Sequence, residues 1–430
     1  MLDLVRDLAS PAEGSPAAEL ARAPLRSLGE AAAEIEERFE AAGAAALVLI
    51  QSPDLAQVEI REGREAALCC FEELLGLVRR AAAPVLEVGD LLLAGEAGHP
   101  ELLILLFRSR RDGAFFGSAV PALVAAIREG CERRGRPIFY PWLRRASPMA
   151  LGSGTALRNP RLQTSTQLRR AIEEARSDAE LESRLTARKQ RQELLGIVID
   201  EQVHCVYEPI VATGSLAAFG YEALSRGPVG TDLESPINLF HRAEREDLIF
   251  DLDCLCRKQA LEGAIDFPEG AKLFLNIRPS SFHDPGFQPD AICETLSRCQ
   301  LSPSDVVFEI SEQESIHNFP LFRGMRDDYG RLGFEFALDD TGTGYASFQT
   351  LLELSPEFVK VDRALVSGVD EDPAKRAILQ GFQSIGDRIG ARLIGEGLDT
   401  LEELRTLGKL GIPFGQGWLF GKPAPLRAPK

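Results

Sequence analysis

The chain has 430 residues, enough for two or three domains, and 45% of them are hydrophobic, enough for two sizeable cores. Acids outnumber bases by 65 to 48, a formal net charge of −17, which argues against DNA as a partner because phosphate backbones are held by clustered Lys and Arg. There is no 18-residue uncharged apolar run, and residues 1–24 carry acids early without a continuous apolar core; neither a membrane span nor a signal peptide is expected, and the expected location is cytoplasmic.

Residues 1–30, rich in Ala, Pro, Ser and Glu, read as a loosely ordered arm or short helix. A first domain is expected over 31–175. It has an apolar run at 44–50, a helical stretch at 64–81, and two strand-like runs, 84–94 and 101–107, joined by a Gly- and Pro-containing turn. A further helix follows over SAVPALVAAIREGCERRG. Residues 161–196 mix acids and bases in a polar helical pattern, and 176–196 is expected to be a helical linker.

From 197 to the end, apolar strand-like runs alternate with amphipathic helical stretches. The runs are 203–211, 216–224, 272–277, 306–310, 334–339, 357–361, 391–395 and 413–418. Strands alternating with helices predict an α/β domain with a largely parallel sheet, and eight such units fit a TIM-type (β/α)8 barrel.

Polar residues stand at the ends of these runs: Glu222, Asn276, Glu309, Asp339 with Asp340, Lys360 with Asp362, Glu396 and Gln416. Alone, each has an ordinary explanation. A single Glu is usually solvated or salt-bridged, an Asp pair before Thr-Gly-Thr-Gly can cap a turn, and a lone Lys is usually at the surface. Their shared position is what carries information, because barrel active sites are built at the C-terminal ends of the strands. Together they predict a carboxylate-lined bowl with one amide, one lysine and no histidine. Such a bowl is costly to desolvate unless hard divalent cations occupy it, and Mg²⁺ and Mn²⁺ prefer that oxygen shell. Two ions can clamp an in-line displacement at phosphorus.

The eight cysteines and five histidines form no CxxC, HExxH or disulfide framework, so reduced thiols are expected. TGTGY at 341–345 is followed by no Gly-Lys-Ser/Thr and is not a P-loop.

These same residues carry a family resemblance. YEALSR (221–226), NIRPSS (276–281), FEISE (308–312), LDDTGTGYAS (338–347), FVKVD (358–362), GEGLDT (395–400) and GQGWLFGKP (415–423) resemble, in order and at family spacing, the motifs of EAL domains. The resemblance implies metal-dependent hydrolysis of cyclic di-GMP to linear pGpG. By position, it implies Glu222, Asn276, Glu309, Asp339 and Glu396 on a first metal, and Asp340 and Asp362 on a second. It implies Lys360 activating or orienting water, Gln416 placing water or substrate, Glu312 bracing the loop after strand five, and Arg226 on a phosphate. Three departures stand out. Glu208 replaces a substrate-contacting Gln before Pro209, Thr341 replaces a Phe and loosens its loop, and Gly227-Pro228 replaces a Trp. The first domain resembles a degenerate GGDEF domain, with the turn Ala97-Gly98-His99-Pro100-Glu101 where the acidic signature belongs, which implies a regulatory or dimerising role without cyclase activity. The other reading is a catalytically inactive cyclic di-GMP receptor acting through protein partners. A homodimer through the EAL domain or the helical linker is also expected.

Overall fold

The computed structural model describes residues 25–95, 101–140, 142–143, 149–265, 267–278, 281, 284–311, 319–342 and 347–426. The chain divides into two compact units, Met1–Gln190 and Arg191–Lys430.

In the first unit β1 (Arg26–Ser27), β2 (Gly43–Gln51), β3 (Leu91–Ala94), β4 (Glu101–Ser109) and β5 (Ala150–Leu157) form one sheet in the order β1-β3-β4-β2-β5. All neighbours are antiparallel except β1 and β3. The runs at 44–50 and 101–107 are continuously apolar because both faces of the sheet are covered. Ala46, Val48, Ile50 and Ile104 pack with Leu74 and Val78 of helix Arg64–Ala82 and Ile127 of helix Val120–Phe139. Their alternates Leu47, Leu49, Leu103 and Leu105 pack with Ile35 and Phe39 of helix Ala32–Ala42, and with Ala171 and Ala175. The last two alanines belong to helix Thr164–Ile199, which takes up nearly the whole polar stretch at 161–196. It lies so close to β5 that a Cβ on Gly152 would sit 1.8 Å from the Ala175 carbonyl oxygen, and one on Gly154 2.0 Å from that of Ala171.

Two expectations fail here. Arg26–Ser27 is a strand rather than part of a loose arm. Residues 84–90 are not strand, because Asp90 turns the chain: its carboxylate accepts from the N–H groups of Glu87 (2.8 Å) and Phe107 (2.9 Å) and pairs with the buried Arg108. The turn 97–100 lies outside the described residues. Glu101, which is described, is buried and paired with Arg176 at 2.5 Å.

The second unit is a closed eight-stranded barrel. Its strands are β6 (His204–Ala212), β7 (Ala218–Arg226), β8 (Lys272–Asn276), β9 (Val306–Ser311), β10 (Glu335–Thr341), β11 (Phe358–Val361), β12 (Arg392–Gly395) and β13 (Phe414–Gln416). Adjacent strands are parallel except β6, which runs against β7 and β13. The five-residue link from β6 to β7 forces that reversal, since a parallel connection needs a dozen or more residues. The remaining strands are joined through helices that cover the barrel and build the large outer core of Leu273, Phe308, Leu338, Val359, Leu393 and their neighbours. Inside, Ile210, Phe274, Val307, Ala337, Phe358, Ile394 and Phe414 form one apolar layer. Among the described residues, no helix is long and apolar enough to cross a membrane. All eight cysteines are free; four are buried and Cys69 is exposed.

Candidate functional site

Side chains alternate along a strand, so the residue two positions beyond each plug residue again points inward, one layer nearer the mouth. Applied strand by strand, this gives Asn276, Glu309, Asp339, Lys360, Glu396 and Gln416 above Phe274, Val307, Ala337, Phe358, Ile394 and Phe414. Glu222 stands in the same relation to Gly220. On the reversed β6 the step runs backwards, from Ile210 to Glu208, and Glu208 lies directly opposite Glu222. Seven strands, and the residue just past β12, Glu396, therefore each contribute one polar side chain to a single layer.

Lys360 is the centre of that layer. Its side chain is 1% exposed, and its ammonium lies 3.0 Å from Glu222, 2.8 Å from Glu309, 3.2 Å from Asp339 and 2.8 Å from Glu396. An ammonium has three protons and cannot bond four carboxylates. Glu309 Oε1 and Asp339 Oδ1 are buried without a well-aligned hydrogen bond, so their attraction to Lys360 is chiefly Coulombic. The Asn276 amide donates to Glu222 (3.1 Å) and Glu309 (3.2 Å). The Gln416 amide donates to Glu222 (2.6 Å) and Glu208 (3.1 Å), which leaves Gln416 Oε1 buried without a donor.

One ammonium does not neutralise this many carboxylates. Desolvation, and next the Glu222 charge, push Glu309 well above the usual carboxylate range. Desolvation likewise pushes Glu396 up to about 8 against the pull of Lys360, with Asp339 adding to the rise. Glu208 is raised, chiefly by desolvation. Glu222 alone moves down, because Lys360 and the Gln416 amide outweigh its burial. Burial works against the charge on Lys360, yet the surrounding carboxylates hold it well above the ordinary lysine value.

Asp339 and Asp340 are sequence neighbours and would point to opposite faces of a regular strand. Between Leu338 and Thr341 the β10–β11 register slips, and Asp340 adopts a left-handed φ of 57°. This bulge re-aims the pair. Among the described residues, Asp339, Asp340 and Glu396 each offer an oxygen within 4.8 Å of the others, a grouping able to hold a metal ion. Oxygen-only donors, orphaned buried carboxylate oxygens and carboxyls pushed towards protonation fit a hard divalent cation.

The remaining expected residues are placed as follows. Asp362 is not in that grouping; its carboxylate caps helix Arg363–Val366, accepting from Ala364 N at 2.7 Å. Arg226 ends β7, and its guanidinium donates to the Ser225 carbonyl (2.9 Å). Thr341 is fully buried and its carbonyl takes the Asp362 N–H at 3.2 Å, while residues 343–346 of the loop lie outside the described residues. Glu312 also lies outside them. Gly227 has a steric reason, because a Cβ there would come 2.2 Å from the Leu233 carbonyl oxygen.

Beside the layer is a cavity of about 340 Å³ lined by Arg226, Asn276, Arg278 and Ser311 among others. Arg278 and Ser311 were not anticipated from the sequence. The signal available for Arg278 was a cation two residues after Asn276. A larger groove of about 900 Å³ on the barrel's flank is lined by none of the polar layer.

The sequence profile of the EAL domain family matches residues 189–423, more than half of the chain. The chain belongs to the EAL family. Its EAL region is 27% identical over 244 residues to the probable cyclic di-GMP phosphodiesterase PdeN of Escherichia coli K12, covering 55% of this chain and 46% of that protein. It is 26% identical over 191 residues to the cyclic di-GMP phosphodiesterase PdeA of Borreliella burgdorferi, covering 44% of this chain and 28% of that one. The chain thus spans less than half the length of these curated relatives. Among solved structures, the EAL barrel resembles the PaMucR phosphodiesterase in its cyclic di-GMP complex (TM-score 0.50, 23% identity, 55% of this chain and 98% of that one). It also resembles the Xanthomonas citri FimX EAL domain in complex with the same nucleotide (TM-score 0.52, 19% identity, 57% and 98%). These structural likenesses establish the fold.

Proposed function

We propose that residues 197–430 form a metal-dependent phosphodiesterase that hydrolyses cyclic di-GMP to linear pGpG. The observation that carries this reading is Lys360, buried at the mouth of an EAL barrel within 3.2 Å of four carboxylates. Glu222, Asn276, Glu309, Asp339 and Glu396 would hold one Mg²⁺ or Mn²⁺, and Asp340 and Asp362 would serve a second. When bound, such ions acidify water and draw charge from a phosphoryl oxygen. The chain's own groups do the rest. Lys360 places a positive charge where the attacking oxygen becomes negative. Gln416, its amide fixed by two carboxylates, offers a bare carbonyl oxygen to a water or substrate hydrogen. Arg226 supplies the positive charge that an acidic protein needs to hold a phosphodiester. Glu312 would brace the loop after β10.

The first unit carries the proposal that residues 31–175 are a degenerate GGDEF-like regulatory domain, with 176–196 as linker, and that of the arm expected over 1–30 the part at Arg26–Ser27 belongs to the domain's sheet. Its β2-β3-β4-β5 sheet and the two helical crossovers have the split βαβ arrangement that such a reading requires. A homodimer through the EAL unit or the linker helix and a cytoplasmic location belong to the same proposal. The test is to strip metal from the full chain, restore Mg²⁺ or Mn²⁺, and chromatograph the nucleotide. Metal-restored conversion of cyclic di-GMP supports the reading. Binding without conversion under both ions would make the chain a receptor instead.

A further inference from the structure

The acidic layer leaves an electrostatic question open. Lys360 is committed to four carboxylates, so an anionic nucleotide must find positive charge elsewhere. Three arginines, Arg226, Arg257 and Arg278, line the cavity of about 340 Å³ beside Asn276, and Arg257 is spent on the buried carboxylates of Asp253 and Asp284. Arg278 is paired with Glu244 at 3.3 Å, but these side chains are 31% and 51% exposed, and a surface pair of that kind exchanges readily for a better acceptor.

The backbone of Arg278 is held with unusual care. Its N–H donates to Ser281 Oγ (3.1 Å), and the Ser281 N–H donates to the Arg278 carbonyl (2.9 Å). Ser281 is fully buried, and its hydroxyl accepts from Arg257 (2.8 Å) and donates to Asp253 (3.2 Å). The Arg257 side chain is 5% exposed. It pairs with Asp253 on its own helix, Ile249–Glu262, and with Asp284 at 2.7 Å, and lies 5.0 Å from the centre of the Phe287 ring. Asp284 in turn accepts from Gly286 N at 2.8 Å. A buried, charged network of this kind, in which one guanidinium bridges two carboxylates, fixes geometry rather than adding much stability. It fixes Arg278, Ser281 and Asp284, three described residues that follow Asn276.

We propose that Arg278 contacts a phosphodiester of the substrate and that Arg257 is the positioning residue that aims it. This rests on the hydrolytic reading above. A guanidinium presents a planar fork that matches two phosphate oxygens, which a lysine at this place would not reproduce.

The experiment measures kcat and KM for cyclic di-GMP with Mg²⁺ on the full chain, at several salt concentrations, for wild type, Arg278→Gln, Arg257→Met and the double variant. Arg278→Gln is expected to raise KM about tenfold, the size of one bidentate contact, and to make KM less dependent on salt, with kcat nearly unchanged. Arg257→Met is expected to raise KM in the same way and to add little in the double variant, because both act through one contact. Asp284→Asn is the milder substitute if Arg257→Met does not fold, as judged by near-ultraviolet dichroism, and the same non-additivity is expected of it. A wild-type KM in Arg278→Gln, an unaltered salt dependence, or effects that multiply independently would overturn the inference while wild-type turnover still upheld the phosphodiesterase. Absence of turnover in the wild type would instead remove the reading on which it rests.

Discussion

Glu208 and Glu222 face each other across the antiparallel β6–β7 pair, and a single amide, that of Gln416, donates to both at 3.1 and 2.6 Å. Two like charges opposite each other destabilise a sheet unless something lies between them. Here the bridge comes from β13, the last strand of the barrel, so closure of the barrel and neutralisation of the layer depend on each other. Glu208 thus faces the layer, and its described partner is Gln416 rather than Arg226.

Glu208→Gln keeps an acceptor oxygen for Gln416 but removes one negative charge beside an anionic ligand. The expected outcome is tighter cyclic di-GMP binding by several-fold, on the order of 1 kcal/mol, largest at low salt. Calorimetry with Ca²⁺ restraining turnover checks this. Weaker binding at every salt concentration would make the Glu208 carboxylate a working part of the site.

Glu222 receives hydrogen bonds from Lys360, Asn276 and Gln416 at once. Glu222→Ala should therefore abolish measurable hydrolysis and weaken metal binding by at least about tenfold, with the secondary structure intact. Titration of Mn²⁺ into both proteins, alongside product chromatography, is the check. Near-normal turnover would contradict the placement of Glu222.

Lys360→Met should behave differently with and without cations. In metal-free buffer the four carboxylates lose the cation that lies within 3.2 Å of each of them, and the barrel should lose about 3–5 kcal/mol, the usual effect of breaking a buried ion pair from one side. Mg²⁺ should restore much of that loss but not kcat. Chemical denaturation in EDTA and in Mg²⁺ separates the two effects. Equal destabilisation in both buffers would mean that cations do not replace the missing charge.

Much of the site was legible because a barrel translates a linear pattern into a ring. A polar residue at the end of an apolar run, repeated, places Asn276, Glu309, Asp339, Lys360 and Glu396 together without any tertiary information. The bulge at Asp340 could not be read this way, since a period of two puts Asp339 and Asp340 on opposite faces and only the left-handed φ reconciles them. The role of Arg257 was hidden too, since a lone cation in a helix is ordinarily solvated, and its partners Ser281 and Asp284 are 24 and 27 residues away. In the first unit, the apolar run at 84–94 suggested a strand throughout, but Asp90 and its partner Arg108 spend residues 84–90 on a turn.

The full chain should make no cyclic di-GMP from GTP. Glu101, the acidic residue at the position that the proposed GGDEF resemblance sets against the signature, is 2% exposed and its carboxylate is held by Arg176 at 2.5 Å, which leaves it unsuited to a metal–triphosphate complex. Incubation with GTP and Mg²⁺ followed by chromatography tests this, and detectable synthesis would contradict it.

The most direct measurement of the central claim is hydrolysis of cyclic di-GMP by the full chain in ¹⁸O-water, with Mg²⁺ or Mn²⁺ present or chelated, read by mass spectrometry. The account predicts metal-dependent formation of linear pGpG carrying one ¹⁸O on its new terminal phosphate. Cyclic di-GMP bound but recovered intact and unlabelled under both ions would contradict it.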